Sequence, residues 1–412
     1  MIPKKYVTWG SSGAVIRELA AYGAERAKVV GPENVYDFTI GSPSIEPPKK
    51  FFDVLDRLMK TVSPIELHTY APAAGLESVR TAVAKYLSES FGLEYSPNDI
   101  YMTHGASSAL AIILAALVSE GEDALVLAPY FPEYKIYVEQ AGGTLIEVPC
   151  DEDFQVDLNA LEARLTPKTS VIIINSPNNP SGAVLSADSV KAIAELLNKK
   201  AAEYGHPIYI VADEPYRELV YGDVEVPFIP AYYDDTVYCY SFSKSLSLPG
   251  ERVGFLALSP KMAYHDDAWA AVCGAGRSLG YVCVSTMFQQ AAAECLGVTA
   301  DISKYDDNRQ LAYSALSDMG FTCVKPDGAF YLFVKAPDGD SQAFCRKAME
   351  KDILVVPGDA FGCPGYVRLA YCVPYDRIKR SLPAFKALAE EYGLYISTKS
   401  PRFENRGLFI AR

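Results

Sequence analysis

The stretch VIIINSPNNPSG, residues 171–182, is a continuous apolar run that ends at Asn175 and is followed by a turn sequence of Pro, Asn and Gly. Apolar residues at helical spacing follow over Ala187–Tyr204, and a second apolar run occupies Ile208–Ala212. A buried strand, a helix and a second buried strand are typical of a parallel sheet that is covered on both faces. This stretch therefore predicts an α/β fold.

The same alternation extends in both directions along the chain. Helical spacing is also clear at Ser107–Ser119 and Pro132–Ala141. Short runs rich in β-branched and aromatic residues predict seven strands, at Ile100–Thr103, Ala124–Ala128, Thr144–Val148, Val171–Asn175, Ile208–Ala212, Thr236–Ser241 and Val253–Leu258. We therefore expect a large α/β domain at residues 46–284, with a mostly parallel seven-stranded sheet between helices.

The C-terminal third has a different pattern. A long helix is predicted at Thr286–Met319 and a shorter one at Ser341–Lys351. Strands are predicted at Ala329–Val334, Val355–Val356 and Val367–Tyr371. Because residues 1–45 are too irregular to stand alone, we expect them to join residues 285–412 in a smaller α+β domain.

Composition limits the kinds of partner. The 412 residues include 38 Lys and Arg against 51 Asp and Glu, a formal net charge of −13. Such a charge repels phosphate backbones and anionic lipid, so we expect no nucleic-acid or membrane partner. Half of the residues are hydrophobic, which is typical of a globular chain with a large core.

Cysteine usage and the N-terminal sequence predict a cytoplasmic location. The nine cysteines are an odd number without a Cys-x-x-Cys motif, which indicates reduced thiols. The N-terminal residues lack the apolar region of a secretory signal, and no apolar run approaches the roughly 20 residues of a membrane helix. The four histidines have no metal-ligand spacing, and we expect no metal site.

Ligands of open parallel sheets bind beyond the carboxyl ends of the strands. Each sequence after a predicted strand also has an ordinary explanation, since Gly and Ser cap helices, Asn-Pro forms turns, and a lysine is normally solvated. Taken together, however, these sequences supply a small-residue turn before a helix, an amide, a carboxylate with a phenol, and a lysine followed by an arginine. The residues concerned are Gly105, Ala106, Ser107, Asn179, Asp213, Tyr216, Lys244 and Arg252.

Pyridoxal phosphate needs that combination of groups. It has an aldehyde for Lys244, a pyridine nitrogen for Asp213, a ring oxygen for an amide and a phenol, and a phosphate for a helix N-terminus and an arginine. Lys244 lies among small hydroxyl residues behind an apolar strand, where desolvation would lower its pKa and make the amine nucleophilic. These residues predict a pyridoxal-phosphate site.

Four motifs carry a resemblance to a known family: Ser241-Phe242-Ser243-Lys244, Arg252-Val253-Gly254, Asn179-Pro180-Ser181-Gly182 and Asp213-x-x-Tyr216. In order and spacing they resemble the class I and II aminotransferases of pyridoxal-phosphate fold type I, the aspartate aminotransferase superfamily. The resemblance extends from Gly41 to Arg368. It implies an enzyme that moves an amino group between an L-amino acid and a 2-keto acid, in a homodimer with shared active sites.

For the cofactor, the resemblance implies that Lys244 forms the Schiff base and that Asp213 pairs with the pyridine nitrogen. Tyr216 and Asn179 would bond the ring oxygen, and Phe131 would stack on the ring unless it is an ordinary core residue. Tyr70 would reach the phosphate of the neighbouring subunit. The remaining phosphate-binding residues would be Gly105, Ala106, Ser107, Ser241 and Arg252.

For the substrate, the resemblance implies that Arg368 binds the α-carboxylate, next to Asn179, and that the backbone of Gly41 closes over the substrate. Arg277 lies near the place where dicarboxylate-specific relatives supply a second arginine from the partner subunit. If it enters the site, the donor would be aspartate or glutamate. The alternative is a solvated arginine in a Gly-rich loop.

Other functions use similar residues. A carbon–sulfur β-lyase or an amino-acid decarboxylase would have the same lysine and aspartate, so the motifs leave both open. A non-catalytic sensor domain of a transcription regulator would follow a DNA-binding helical domain, for which the first fifty residues offer no basic segment. A nicotinamide dehydrogenase is disfavoured because Gly274-x-Gly276-x-x-x-Gly280 lacks the dinucleotide-binding spacing and follows a helix-like segment.

Overall fold

The helices are given by a computed structural model that describes residues 2–11 and 14–394. The described residues form these α-helices: α1 Lys4–Ser11, α2 Ala14–Val30, α3 Lys49–Thr61, α4 Pro64–His68, α5 Glu77–Phe91, α6 Ala106–Leu117, α7 Glu133–Ala141, α8 Leu158–Arg164, α9 Ala187–Tyr204, α10 Phe242–Ser245, α11 His265–Leu279, α12 Thr286–Ala293, α13 Ser303–Asp318, α14 Ser341–Met349 and α15 Tyr375–Glu391.

The strands of the same residues form one large and two small sheets. They are β1 Tyr36–Asp37, β2 Ile100–Thr103, β3 Asp123–Ala128, β4 Thr144–Pro149, β5 Thr169–Asn175, β6 Tyr209–Asp213, β7 Thr236–Ser241, β8 Gly254–Leu258, β9 Thr322–Cys323, β10 Tyr331–Lys335, β11 Ile353–Leu354, β12 Val356–Pro357 and β13 Tyr366–Ala370.

The large sheet has seven strands in the order β2-β8-β7-β6-β5-β3-β4. Strand β8 runs antiparallel to β2 and β7, and every other neighbouring pair is parallel. The seven predicted strands and the α/β class are therefore confirmed, with strand ends that differ by at most two residues.

Strand β5 shows why its sequence is apolar throughout. Val171 and Ile173 pack on the face covered by α6 and α11, whereas Ile172 and Ile174 pack on the face covered by α8 and α9. Both faces of the strand are therefore removed from water, and alternation of polar and apolar residues is absent.

The smaller domain is built around the four-stranded antiparallel sheet β12-β13-β10-β9. Helices α13 and α15 pack together beside it. The expectation that residues 1–45 are irregular is wrong, because α1 and α2 lie in this segment. The segment joins this core, since Tyr36 pairs with Ile353 in the two-stranded sheet and Phe38 is fully buried in the same cluster.

The prediction of one long helix at Thr286–Met319 is wrong. The structure has two helices, α12 and α13, because Gly297 adopts a left-handed φ of 72° between them. Helix α12 contacts α3 and α5, and its Ala291 and Ala292 are buried in one core cluster with residues of those two helices. The domain boundaries at residues 45 and 284 stay predictions.

Two further findings concern membrane-spanning helices and cysteines. No helix within the described ranges is long and apolar enough to span a membrane. All nine cysteines lie in those ranges and are free thiols. The cytoplasmic location stays a prediction. Residues 395–412, which are assigned to the smaller domain, lie outside the described part of the chain.

Candidate active site

A cavity of about 310 Å³ lies at the carboxyl ends of β5, β6 and β7 and extends to β10 and β13 of the smaller domain. Most of the predicted site residues line it. They are Gly41, Ala106, Ser107, Phe131, Asn179, Asp213, Tyr216, Ser241, Lys244, Arg252 and Arg368.

The strand directions explain why these residues meet. Parallel strands β5, β6 and β7 bring their carboxyl ends to one edge of the sheet. Because β8 is antiparallel, its first residue, Gly254, pairs with Ser241 at the end of β7 and with Thr103 at the end of β2. The residues before β8, among them Arg252, therefore lie at the same edge as the start of α6.

Asp213 is a buried carboxylate with one partner and one unused oxygen. Its Oδ2 accepts a hydrogen bond of 2.6 Å from the Tyr134 hydroxyl, and its Oδ1 has no partner. Burial raises the pKa of Asp213 to about 7, and the bond from Tyr134 opposes this change. A buried acceptor without a donor indicates a ligand that donates to it.

Lys244 lies in the short helix α10, directly after β7. Its Nζ donates to the Gly41 carbonyl at 2.8 Å and lies 5.8 Å from the centre of the Tyr216 ring. Burial lowers the pKa of Lys244 to about 8, and the positive charges of Arg252 and Arg368 act in the same direction. The neutral amine is therefore accessible near neutral pH.

The start of α6 faces Arg252 across the cavity. No side chain caps the N-terminus of α6, because the residue before the helix is Gly105, which has a φ of 80°. A Cβ at Gly105 would lie 2.6 Å from Nη2 of Arg252, so any other residue would displace the guanidinium. Arg252 itself has a left-handed φ of 55° and donates to the Ser243 hydroxyl at 3.3 Å. Unpaired N–H groups and a cation form an anion site.

Arg368 lies on β13 and is 4% exposed. Its Nη1 donates to Oδ1 of Asn179 at 3.0 Å, its Nη2 donates to the Thr39 carbonyl at 2.5 Å, and its Nε has no partner. A buried guanidinium without a carboxylate partner indicates that an anionic group of a ligand completes the site.

Sequence reasoning missed three residues of the site. Asn175 donates to the Asp213 carbonyl at 2.8 Å and accepts from the Asn179 N–H at 2.7 Å, so it joins the ends of β5 and β6. Tyr134 supports Asp213, and Tyr331 bonds the Tyr216 hydroxyl at 2.9 Å. Only Asn175 has a sequence signal, as an amide that ends an apolar strand.

Three predicted residues do not line the cavity of their own chain: Gly105, which directly precedes the lining residue Ala106, and the more distant Tyr70 and Arg277. Tyr70 is 91% exposed beside His68, and Arg277 is exposed in the last turn of α11. The expectation of a Gly-rich loop around Arg277 is wrong because the helix continues through Gly274 and Gly276. The proposed contributions of both side chains to a partner's site stay predictions.

Comparison with known proteins agrees with this geometry. Residues 33–385 match the family model described as aminotransferase class I and II, which covers most of the chain. The chain belongs to the class I and II aminotransferase family. The resemblance seen in the four motifs is thereby confirmed.

Individual aminotransferases are similar over nearly the whole chain. The crystal structure of an amino transferase from Eubacterium rectale superposes with a TM-score of 0.93 at 48% identity, covering 95% of this chain and 99% of that one. Aspartate aminotransferase from Thermotoga maritima is 31% identical over 87% of this chain and 92% of its own length. Aromatic-amino-acid aminotransferase 2 from Thermococcus litoralis is also 31% identical, over 88% and 93%.

Class I and II aminotransferases use pyridoxal phosphate, and the residues of this site fit that cofactor. The unpartnered Oδ1 of Asp213 suits the pyridine nitrogen, and the partly buried Nζ of Lys244 suits the aldehyde. The start of α6 with Arg252 suits the phosphate. The cofactor and the aminotransferase activity expected from the sequence therefore agree with the family.

Proposed function

We propose that this aminotransferase moves the amino group of an acidic L-amino acid, aspartate or glutamate, to a 2-keto acid such as 2-oxoglutarate or oxaloacetate. The observation that carries the general reaction is the convergence of Lys244, Asp213 and Arg368 on one cavity. These three residues supply an amine, an unpartnered carboxylate oxygen and a buried carboxylate-binding cation.

Lys244 is the group that moves protons. When bound, pyridoxal phosphate supplies the electrophilic aldehyde and a ring that accepts the electrons of the substrate's Cα. The Nζ of Lys244, released by the incoming amino acid, takes the proton from Cα. Its lowered pKa, about 8, makes the neutral base accessible near neutral pH.

Asp213 and Arg368 hold charges rather than transfer protons. In contact with a protonated pyridine nitrogen, Asp213 stays ionised despite its burial, because the opposite charge offsets the desolvation. Arg368 binds the α-carboxylate with its planar fork and fixes the direction of the Cα–H bond before Lys244 acts. Ile40, Leu110 and Phe131 give this cavity an apolar wall.

The exposure of Tyr70 supports a dimer with shared active sites. A tyrosine that is 91% exposed, next to a backbone held to α12 by the bond from Thr286 to the Thr69 carbonyl, is presented outward on a fixed support. Tyr70 of the partner subunit then reaches the phosphate at this chain's α6.

The choice of an acidic donor depends on Arg277. The cations that line the cavity are Lys244, Arg252 and Arg368, and the cofactor and the α-carboxylate use all three. A second carboxylate of the substrate needs another cation, which Arg277 of the partner subunit supplies. The Thermotoga maritima relative is named an aspartate aminotransferase, which supports this choice, whereas the equally similar Thermococcus litoralis relative is named for aromatic amino acids.

The test of the function is a half-reaction. The holoenzyme is mixed with aspartate, glutamate or a control amino acid, and the conversion of the cofactor to its amine form is followed by absorbance. We expect conversion by an acidic donor and its reversal by 2-oxoglutarate or oxaloacetate. Release of pyruvate and ammonia from a cysteine conjugate, or of carbon dioxide from the donor, without this reversal would instead indicate the lyase or the decarboxylase.

The donor is tested separately by Arg277→Ala. We expect kcat/KM to fall steeply for aspartate and to hold or rise for alanine and aromatic donors, because an unpaired carboxylate is left in the site. A uniform small change across donors would make Arg277 a surface residue and would leave the general reaction intact.

A further inference from the structure

Tyr331 is a cavity residue that none of the sequence motifs includes. It is the first residue of β10 and is 2% exposed. It contributes to the cavity wall between Tyr216 and Arg368. Its hydroxyl and its ring face have different partners, and both partners belong to the proposed site.

The hydroxyl of Tyr331 is bonded to the hydroxyl of Tyr216 at 2.9 Å, with both side chains buried. Either oxygen can donate in the protein alone. If Tyr216 bonds the ring oxygen of the cofactor, the direction is fixed, because an ionised ring oxygen only accepts. Tyr216 must then donate to that oxygen and accept from Tyr331. Such a chain strengthens each of its bonds.

The ring face of Tyr331 supports Arg368. The guanidinium carbon lies 4.8 Å from the centre of the Tyr331 ring and 4.8 Å from the centre of the Phe361 ring. A guanidinium placed against aromatic faces is attracted to them and loses much of its freedom to rotate. The two rings therefore hold the fork that binds the α-carboxylate.

The backbone of Gly41 lies against the same hydroxyl. A Cβ at Gly41 would be 2.0 Å from the Tyr331 oxygen, so glycine lets the backbone approach this closely. The carbonyl of Gly41 in turn accepts from Nζ of Lys244. Tyr331 thus contacts three elements of the site: the Tyr216 loop, the Arg368 strand and the Gly41 backbone.

We infer that Tyr331 is a positioning residue with two separable roles: its hydroxyl holds Tyr216 as a donor to the cofactor's ring oxygen, and its ring holds Arg368 for the substrate carboxylate. The inference rests on the proposed function of Tyr216 and Arg368. It differs from a plain core role, which would make the hydroxyl irrelevant to the cofactor.

Tyr331→Phe tests the hydroxyl, since it keeps the ring. Weaker donation from Tyr216 leaves more charge on the ring oxygen, which then holds the proton on the nitrogen of Lys244 more tightly. The pKa at which the visible absorbance of the substrate-free holoenzyme changes is expected to rise by about 0.3 to 1, the size of one hydrogen bond. We expect kcat to fall by about 3- to 10-fold and KM to stay within about twofold.

Tyr331→Leu tests the ring. Beyond the effects expected of Tyr331→Phe, this variant should raise the KM of several amino acids by about 3- to 30-fold, because Arg368 loses one of its aromatic supports. The control is Tyr371→Phe, which removes a fully buried hydroxyl bonded to Tyr221 and the Ala329 carbonyl in the same core, outside the cavity wall. It is expected to leave both the absorbance titration and KM unchanged.

An unchanged absorbance titration in Tyr331→Phe would overturn the role of the hydroxyl, and an equal KM in Tyr331→Leu and the parent would overturn that of the ring. Peptide mapping of the parent holoenzyme after borohydride reduction distinguishes failure of this inference from failure of the proposed function. If Lys244 carries the cofactor and Tyr331→Phe has no effect, the inference fails and the proposed function stands. If Lys244 does not carry it, the proposed function fails.

Discussion

At the scale of single residues, the site depends on charged groups that are removed from water. Asp213 and Arg368 are both less than 5% exposed, and each has a polar atom without a partner. An unpaired buried group of this kind destabilises the folded chain until a ligand binds it. The free energy that opposes burial in the unliganded protein is thus recovered when cofactor and substrate bind.

Asp213→Asn makes this visible in the cofactor-free protein. The folded pKa of Asp213, about 7, lies above that of the unfolded carboxyl, about 4, so the stability of the parent falls as the pH rises from about 4 to 7 and stays low above that. At pH 8 we expect the variant to raise Tm by about 1 to 3 °C, whereas at pH 5 the folded carboxyl is protonated, only part of the loss has developed, and a smaller gain is expected. The measurement is thermal unfolding at both pH values.

Asp223→Asn is the matched control for that experiment, since Asp223 is exposed in a loop. An equal gain for Asp213→Asn at pH 5 and pH 8 would show that the ionised carboxylate is not the source. In the holoenzyme the parent should have the higher Tm, because the asparagine of the variant cannot form an ion pair with a protonated pyridine nitrogen.

Arg368→Lys should raise the KM of every amino-acid substrate alike, by about tenfold or more, because a point charge cannot replace a fork that makes charge-assisted bonds. Steady-state kinetics with several donors check this. Arg309→Lys is the control, a 7% exposed arginine bonded to Asp306 in the smaller domain. Unchanged KM values in Arg368→Lys would move the carboxylate site elsewhere.

At the scale of elements, the cavity exists because the sheet edge and the start of α6 meet. Helix α6 has twelve residues and no side-chain cap, so its first N–H groups remain available to an anion. Gly105 permits this arrangement through its positive φ and its lack of a Cβ beside Arg252.

Gly105→Ala should therefore raise the dissociation constant of pyridoxal phosphate by about tenfold or more. The methyl group would strain the left-handed backbone by about 1 kcal/mol and displace the guanidinium of Arg252. Titration of the cofactor-free protein by fluorescence measures the constant. Gly250→Ala, where an added Cβ meets nothing within 4 Å, should bind as the parent does. Equal binding by both variants would exclude α6 from the phosphate site.

Element type could be predicted from the sequence wherever the apolar pattern was continuous, as in β5. The pattern failed where a glycine changed the outcome. Gly297, with its left-handed φ, lies in the break between the two helices that replace the predicted helix Thr286–Met319. Gly276 has the opposite effect, since it lies inside α11 where a Cβ would be 2.3 Å from the Tyr101 hydroxyl. Whether a glycine interrupts a helix or lies inside one is shown by the packing of the structure and not by the sequence pattern.

Residues of the site could be predicted where they follow a strand end, as Asp213 and Lys244 do. Tyr134 and Tyr331 could not, because their site partners are 79 and 115 residues away along the chain. An aromatic residue in an apolar segment has the same sequence signature whether it packs in a core or bonds a site residue through its hydroxyl.

At the scale of the whole molecule, the site is completed by surfaces of more than one domain and, under the proposal, of more than one chain. Gly41 and Arg368 come from the parts of the sequence that flank the large sheet, and Tyr70 faces outward. An inactive Tyr70→Phe variant mixed with an inactive Lys244→Ala variant should recover about a quarter of parental activity in hybrid dimers, by random pairing with one intact site in each hybrid.

Recovery is measured after reversible dissociation, with subunit exchange proven by differently tagged chains. The control mixes Asp213→Asn with Lys244→Ala. Because both of those residues belong to the same chain's cavity, no hybrid of them has an intact site. Full subunit exchange without recovery in the Tyr70 mixture would count against shared active sites.

The most direct test of the whole account is the position of the cofactor on the chain. The holoenzyme is reduced with borohydride, digested, and the labelled peptide is sequenced by mass spectrometry. The account predicts a single label on Lys244, in the peptide that contains Ser243 and Ser245, and a Lys244→Ala variant that binds the cofactor without covalent attachment and does not turn over. A label on any other lysine, or turnover by the Lys244→Ala variant, would contradict it.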